Sequence, residues 1–589
     1  MYASFARRPA RRLRPALLLS ASLLGAGLCT GFPAAAATRG ATGGGAAVER
    51  SPVYGLAGDF LCGRFAIAQS DMSLAAEYFE RAMTLDPRNT ELTEQAFVAS
   101  LMAGRPEAVR LARRLPDNQA AQLLLADADA KAGRWDAAEN HFHNLPRQGL
   151  TQVLQPLLVA WAQLGGGHVD GALATLRPYV EGQRFRGVYA LHAAMIADLG
   201  GRPADAARLY RTAQTEYGGT NLRLAEALAS WQARQGHKQE ADDTLRALLE
   251  GGDDFAIALP ALEASVMRRP VARATDGIAE AYLALAAALR QQDATDFSML
   301  LLRLALDLRP DFVPARMLLS DIEQTAKHYD AALAILAPVA KDDPLSAVVR
   351  LRRAALEDML GHTDVATRDL EELSREYPDS PLPDAQLGDT LRAKGRFTDA
   401  IVAYDRAITR QGQQPRRIAW PLFYARGIAY ERSHQWPKAE ADFHQALELA
   451  PDQPAVLNYL GYSWADQGMH LSQAKKMIER AVEQRPNDGA IVDSLGWVQL
   501  RQGDTKEAVK TLERAVELQP EDAEINGHLG DAYLAAGRKL EADYQWRRAL
   551  TFNPDKEEAA KLEAKLHQLA ASTTPSPDSA AAAEHHPQP

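Results

Sequence analysis

Cysteine is nearly missing from this chain: 589 residues hold two, Cys29 and Cys62. A disulfide framework is therefore excluded as the source of stability. No paired-cysteine motif and no His-Glu-x-x-His segment occurs, so the common zinc patterns are absent too. Alternating runs of Val, Ile and Thr are hard to find, which argues against a sheet. Without strands, no glycine-rich phosphate loop can follow one, and Gly165-Gly166-Gly167 reads as a turn between helices. Beyond the N-terminus no stretch has the roughly 18 uninterrupted apolar residues of a spanning helix. Positive charge is not in excess either. The formal net charge of −10 argues against nucleic acid or anionic lipid as the main partner.

What the chain has is Ala, Leu and a basic start. Hydrophobic residues make up 47 % and charged residues 24 %, and the abundance of Ala and Leu favours helix because these side chains lose little freedom there. Arg7, Arg8, Arg11, Arg12 and Arg14 precede an apolar stretch from Ala16 to Leu28, and small residues Ala34 to Ala37 follow it. Basic, apolar, small is the order of a secretory signal peptide, with cleavage expected after Ala37. A lipid on Cys29 would need a small residue before it, and Leu28 stands there. Membrane association through a lipid anchor is therefore not expected, and the chain reads as periplasmic. Cleavage removes five arginines and no acid, which takes the formal charge from −10 to −15. It leaves Cys62 as the only thiol, expected to be a small core residue.

Internal repetition organises the rest. Gly427, Gly461, Gly496 and Gly530 recur at 34, 35 and 34 residues. Ala439, Ala474, Ala508 and Ala542 keep the same period, as do Pro451, Pro486, Pro520 and Pro554. Small residues at facing positions let two antiparallel helices approach, and a large residue four after each alanine fills the gap. The prolines end the second helix, since the residue before proline avoids helical angles. Asp452, Asn487, Asp522 and Asp555 are placed to cap the next helix. This pattern resembles the tetratricopeptide repeat. The resemblance implies an all-α, tetratricopeptide-repeat superhelical solenoid of about fourteen helix pairs.

The register continues backwards through Ala400, Ala366, Ala332 and Ser298 and reaches Gly63, Ala75 and Phe79 near the start. The connection Gln411–Trp420 is lengthened. The expected organisation is a signal peptide at 1–37, degenerate repeats at 38–250, an irregular joint at 251–276 and stricter repeats at 277–554. A capping helix at 555–572 and a disordered Pro-, Ala- and Ser-rich tail at 573–589 complete it.

Asn458-Tyr459-Leu460-Gly461-Tyr462, Asp493-Ser494-Leu495-Gly496-Trp497 and His528-Leu529-Gly530-Asp531 carry a narrower likeness. With Gly277–Tyr282, they resemble an exported proteobacterial repeat family that includes the lipoprotein adaptor of the periplasmic carboxy-terminal processing protease. That resemblance implies a periplasmic scaffold that recruits an envelope enzyme and its protein substrates, cell-wall hydrolases among them. A structural subunit of a cell-envelope or exopolysaccharide assembly complex is the alternative.

Asp493-Ser494, His528 and Asp531 invite assembly into a hydrolase triad, but no nucleophile elbow surrounds the serine, and the neighbouring glycines already serve helix packing. No catalytic residue, metal or cofactor is expected, and His585-His586 reads as a solvated pair. In the tetratricopeptide fold the first helix of each pair lines a groove. Its inward positions are Tyr424, Ile428 and Arg432, then Asn458, Tyr462 and Asp466, then Asp493, Trp497 and Arg501. Aromatics there can grip apolar side chains, while Asn and Arg can hold peptide backbone. Trp497 fits groove and core equally well.

Overall fold

The computed structural model describes residues 55–146, 151–218, 221–250, 255–290, 294–412 and 419–573. Outside them lie the basic and apolar N-terminus with Cys29, residues 251–254, most of the lengthened connection before Trp420, and the tail from 574 with His585-His586. Among the described residues there are thirty α-helices, from α1 (Leu56–Ala68) to α30 (Lys556–Thr573), two short 3-10 turns and no strand. Setting aside the seven-residue α13 (Leu259–Ser265) and the terminal α30, the helices make fourteen pairs in chain order.

The C-terminal pairs show why the period has the residues it has. They are α22 (Trp420–Arg432) with α23 (Trp436–Leu449), α24 (Pro454–Asp466) with α25 (Leu471–Gln484), α26 (Gly489–Arg501) with α27 (Thr505–Leu518), and α28 (Ala523–Ala535) with α29 (Lys539–Thr551). In each pair a glycine of the first helix meets a large side chain of the second. A Cβ on Gly427, Gly461, Gly496 or Gly530 would lie 2.7, 2.8, 2.5 or 2.4 Å from Phe443, Ile478, Leu512 or Trp546. Ala439, Ala474, Ala508 and Ala542 are fully buried. The residues before three of the prolines, Ala450, Arg485 and Gln519, leave helical angles at φ/ψ of −139/80°, −130/66° and −135/77°, as the proline ring demands.

Helix capping departs from expectation at two places. Asp522 caps α28 through Ile525 N–H, and Asp555 accepts from Glu557 and Glu558 at the start of α30. However, α26 is capped by Asp488 rather than Asn487, and α24 has no side-chain cap. There Pro454 opens the helix and removes one N–H that would need a partner. Cys62, expected in the core, is only half-buried on α1.

The chain divides into two compact units. The first takes in Met1–Gly200, Arg273–Ala286 and Asp296–Leu308; the second takes in Gly201–Ala272, Ala287–Thr295 and Arg309–Pro589. The joint expected at 251–276 is thus not a simple border between an earlier and a later half. The first unit recruits α14 (Ala274–Arg290) and α15 (Thr295–Leu308) from beyond it. Gly277 of α14 lies against Trp161 of α7 (Thr151–Gly165), where a Cβ would come within 2.2 Å of the indole. The Tyr282 hydroxyl bonds both carboxylate oxygens of Asp127, each at 3.0 Å, and Asp127 is fully buried on α5 (Gln119–Lys131). Lys131 Nζ reaches the carbonyl and carboxylate of Asp307 at 3.0 and 3.1 Å.

The second unit closes the corresponding gap with its own residues. Ala225, Ala229, Leu245, Ile257 and Leu262 share one core with Val313, Met317, Leu336 and Val348. The helices before the joint therefore pack directly on those after α15.

Candidate functional site

The residues expected to face inward come from the first helices of three successive pairs, α22, α24 and α26. Within the second unit α24 packs on α26, and α26 packs on α28. The i, i+4 spacing of Asp493 and Trp497, and of Trp497 and Arg501, places all three on one face of α26. The structure brings Tyr462, Asp493, Trp497 and Arg501 into one cluster. It adds two residues that the expected set omitted, Glu524 and His528 of α28.

The centre of the cluster is the Trp497 indole. The His528 ring stacks on it at 4.3 Å between centroids and 20° between planes. The Arg501 guanidinium lies 5.6 Å from the same ring's centroid. His528 Nδ1 donates to Asp493 Oδ2 at 2.8 Å, and the Tyr462 hydroxyl donates to Glu524 Oε1 at 2.7 Å across α26. Arg501 is further held by the Asp466 carbonyl at 2.8 Å. Trp497 is half-buried against the core of α22–α26, so it serves the core and the surface at once.

Tyr424, Arg432 and Asn458 lie apart from this cluster. Tyr424 belongs to an aromatic group with Trp420, Phe443 and Tyr459, at centroid distances of 6.1, 6.1 and 5.9 Å. Arg432 is exposed, with its guanidinium 5.8 Å from the Phe397 ring. Asn458 is half-buried, and its Oδ1 has no hydrogen-bond donor. The signal that would have found His528 and Glu524 is their own i, i+4 spacing on the next helix in the series.

Burial alone would push the His528 imidazole down. Asp493, by charge and hydrogen bond, outweighs it together with Glu524 and Asp531, and the group is pushed up to about 9. Burial in turn holds Asp493 above the usual carboxylate range, countered by His528. At neutral pH His528 is therefore an imidazolium paired with Asp493. A raised folded-state value stabilises the fold fully below the unfolded value of about 6.5 and progressively less as pH rises through about 9. The stability deficit of His528→Gln relative to wild type is thus expected to be greatest at pH 6 and to shrink by pH 10. Chemical denaturation at the two pH values checks this; a deficit that grows with pH would contradict it.

The same geometry disposes of the triad. The Ser494 hydroxyl donates to the Ala490 carbonyl at 3.0 Å within its own helix. Asp531 accepts from Trp546 Nε1 at 3.1 Å and pairs with Lys565 at 2.8 Å. Neither hydrogen-bonds His528, which pairs with Asp493.

Three stretches match known family models. Residues 272–419 match the tetratricopeptide repeat-like domain, and 420–453 and 494–557 match tetratricopeptide repeats. These stretches are tetratricopeptide repeats. Such repeats are protein-interaction modules and typically carry no catalysis. A TPR repeat-containing protein of Pseudomonas aeruginosa is 34 % identical over 87 residues, 15 % of this chain and 15 % of that protein. Bacteriophage adsorption protein A of Escherichia coli is 34 % identical over 82 residues, 14 % of this chain and 8 % of that one. The chain thus spans only a small part of the length of the curated relatives it matches. Among solved structures, the APC/C Cut9–Hcn1 hetero-tetramer aligns over 88 % of this chain and 96 % of the matched chain, with 15 % identity and a TM-score of 0.37. The tetratricopeptide protein YrrB aligns over 33 % of this chain and 97 % of its own, with 20 % identity and a TM-score of 0.26.

Proposed function

We propose that this chain is an exported, periplasmic adaptor. Its C-terminal tetratricopeptide array holds a protein partner along the inner face of α22, α24, α26 and α28. The partner is an envelope enzyme, a carboxy-terminal processing protease in the version closest to the sequence resemblance, and the remaining repeats bring protein substrates to it. The observation that carries the reading is the aromatic and charged cluster of Tyr462, Asp493, Trp497, Arg501 and His528, built from three successive first helices. An aromatic flanked by charged groups on a rigid helical scaffold is the composition of a protein-binding hot spot.

Export rests on the N-terminal order of basic, apolar and small residues. No helix among the described residues is long and apolar enough to cross a membrane. Mass spectrometry of the mature protein is expected to find Thr38 at its N-terminus; a lipid-modified Cys29 would replace the soluble adaptor by an anchored one.

Affinity capture from an envelope extract tests the function. The mature chain is expected to retain a processing protease together with a wall hydrolase. Trp497→Ala is expected to weaken retention by at least about tenfold, the scale of a hot-spot aromatic. Recovery of neither enzyme would end the adaptor reading.

A further inference from the structure

Two carboxylates on the same face have no cation. Glu431, in the last turn of α22, accepts the Tyr459 hydroxyl at 3.1 Å through Oε2. Glu524, in the first turn of α28, accepts the Tyr462 hydroxyl at 2.7 Å through Oε1. In each case the other carboxylate oxygen is uncommitted, and neither residue joins an ion pair among the described residues. Three other acids of these repeats are differently placed. Asp442 is held by Arg426 at 2.7 Å, Asp493 by His528 and Asp531 by Lys565. A tyrosine that fixes a carboxylate without neutralising it leaves a site with one aromatic wall and one negative charge.

The protein itself shows how a cation settles on such a surface. Arg501 lies over the Trp497 ring and donates to the carbonyl of Asp466, with the Asp466 carboxylate 3.9 Å away. Aromatic face, oxygen acceptor and guanidinium combine there as a cation–π contact requires. The Glu431–Tyr459 and Glu524–Tyr462 pairs offer the first two components without the third. On α24 and α26, Asn458 Oδ1 and Asp493 Oδ1 also lack a hydrogen-bond donor, and Asp493 is only 4 % exposed. Trp497 Nε1, also on α26, is an unpaired donor. The unmet groups are thus mostly acceptors, which call for a donor-rich occupant.

We infer that the inner face of the C-terminal repeats takes an extended peptide segment carrying arginine or lysine side chains, received by Glu431 and Glu524. This rests on the reading of that face as a protein-binding surface and names the chemistry of what it binds. The net charge of −10 draws such a segment in from a distance. Tyr459 and Tyr462 supply the aromatic walls against which the side-chain stems lie.

Titration calorimetry of the mature chain with short Gly/Ser peptides tests the inference. A peptide carrying two arginines is expected to bind, more weakly as salt is raised, and the same peptide carrying two glutamates is not. The double variant Glu431→Gln, Glu524→Gln is expected to lower affinity for the arginine peptide about tenfold, as two partly exposed ion pairs would. Equal binding of the two peptides, no binding of the arginine peptide, or an unchanged affinity in the double variant would overturn the inference. Its failure is distinguishable from failure of the site itself. If Trp497→Ala weakens partner capture while the double variant does not, the surface stands and the cationic occupant falls. If neither variant alters capture while helical circular dichroism is preserved, the surface itself is wrong and the inference falls with it.

Discussion

Replacing Gly277 by valine is expected to destabilise the N-terminal unit by about 3 kcal/mol, the upper range for overpacking a closed interface. A Cβ at this position would stand 2.2 Å from Trp161 Cδ2, far inside any real contact. Trp161 is fully buried, and its Nε1 donates to His192 Nδ1 at 3.0 Å. The indole therefore cannot swing aside without giving up a buried hydrogen bond. His192 is a firm acceptor, because burial holds its imidazole down to about 3 and so keeps it neutral at physiological pH. The strain must pass to the separation of α7 and α14, with loss of the close packing around them. A control sharpens the test. Gly171, exposed within α8 (Val169–Glu181), has its nearest neighbour at 3.7 Å. Gly171→Ala is expected to be neutral or to stabilise by up to about 1 kcal/mol through helix propensity. Thermal unfolding of the two variants would refute the account of α14 if Gly277→Val proved no more costly than Gly171→Ala.

Removing the Asp384 carboxylate is expected to cost the C-terminal unit about 3 kcal/mol, at the low end for breaking a buried ion pair. Asp384, on α20 (Leu382–Ala393), is fully buried. Its Oδ1 accepts from Ser374 Oγ and Arg406 Nε, each at 2.9 Å, and Arg410 Nη1 lies 2.9 Å from Oδ2. Arg410 also donates to the carbonyls of Ser374 and Ser380 at 3.2 and 3.0 Å, tying down the turn from α19 (Thr363–Glu376) into α20. In Asp384→Ala, Arg410 keeps its charge but loses its counter-ion in a largely closed site. Arg406, about 42 % exposed, can turn to water, which is why the low end applies. Because a repeat array is stabilised by contacts between neighbours, the damage should be local. Hydrogen exchange is expected to quicken across 363–411 while 505–551 is little changed. Uniform exchange throughout the unit would argue that this network is not what secures the α19–α21 segment.

How much of the site was legible in the sequence follows from how it is built. Tyr462, Asp493, Trp497 and Arg501 were visible because the glycine period sets the helical register, and the register sets the face. Glu524 and His528 were harder to assign. Their roles depend on Tyr462 reaching a residue 62 positions later and on the His528 ring lying flat on Trp497. Glu431 was invisible as a partner for Tyr459 for the same reason. Side-chain direction between successive first helices is a property of their packing, not of residue type at a repeat position.

The fold divides along a similar line. The sequence by itself determined the helix pairs, since each is closed by residues within one period: Gly496 against Leu512, Ala508 in the seam, Pro520 at the end. These contacts are local, so composition and spacing suffice to specify them. Only the tertiary structure decided where α14 and α15 belong. Their helical pattern is ordinary, and the irregular stretch before them read as a border between halves. Trp161 against Gly277, and Asp127 against Tyr282, join residues more than a hundred positions apart. Each helix has an apolar face that must be buried somewhere, but the choice of surface rests on shape and hydrogen-bond complementarity, which no periodicity records.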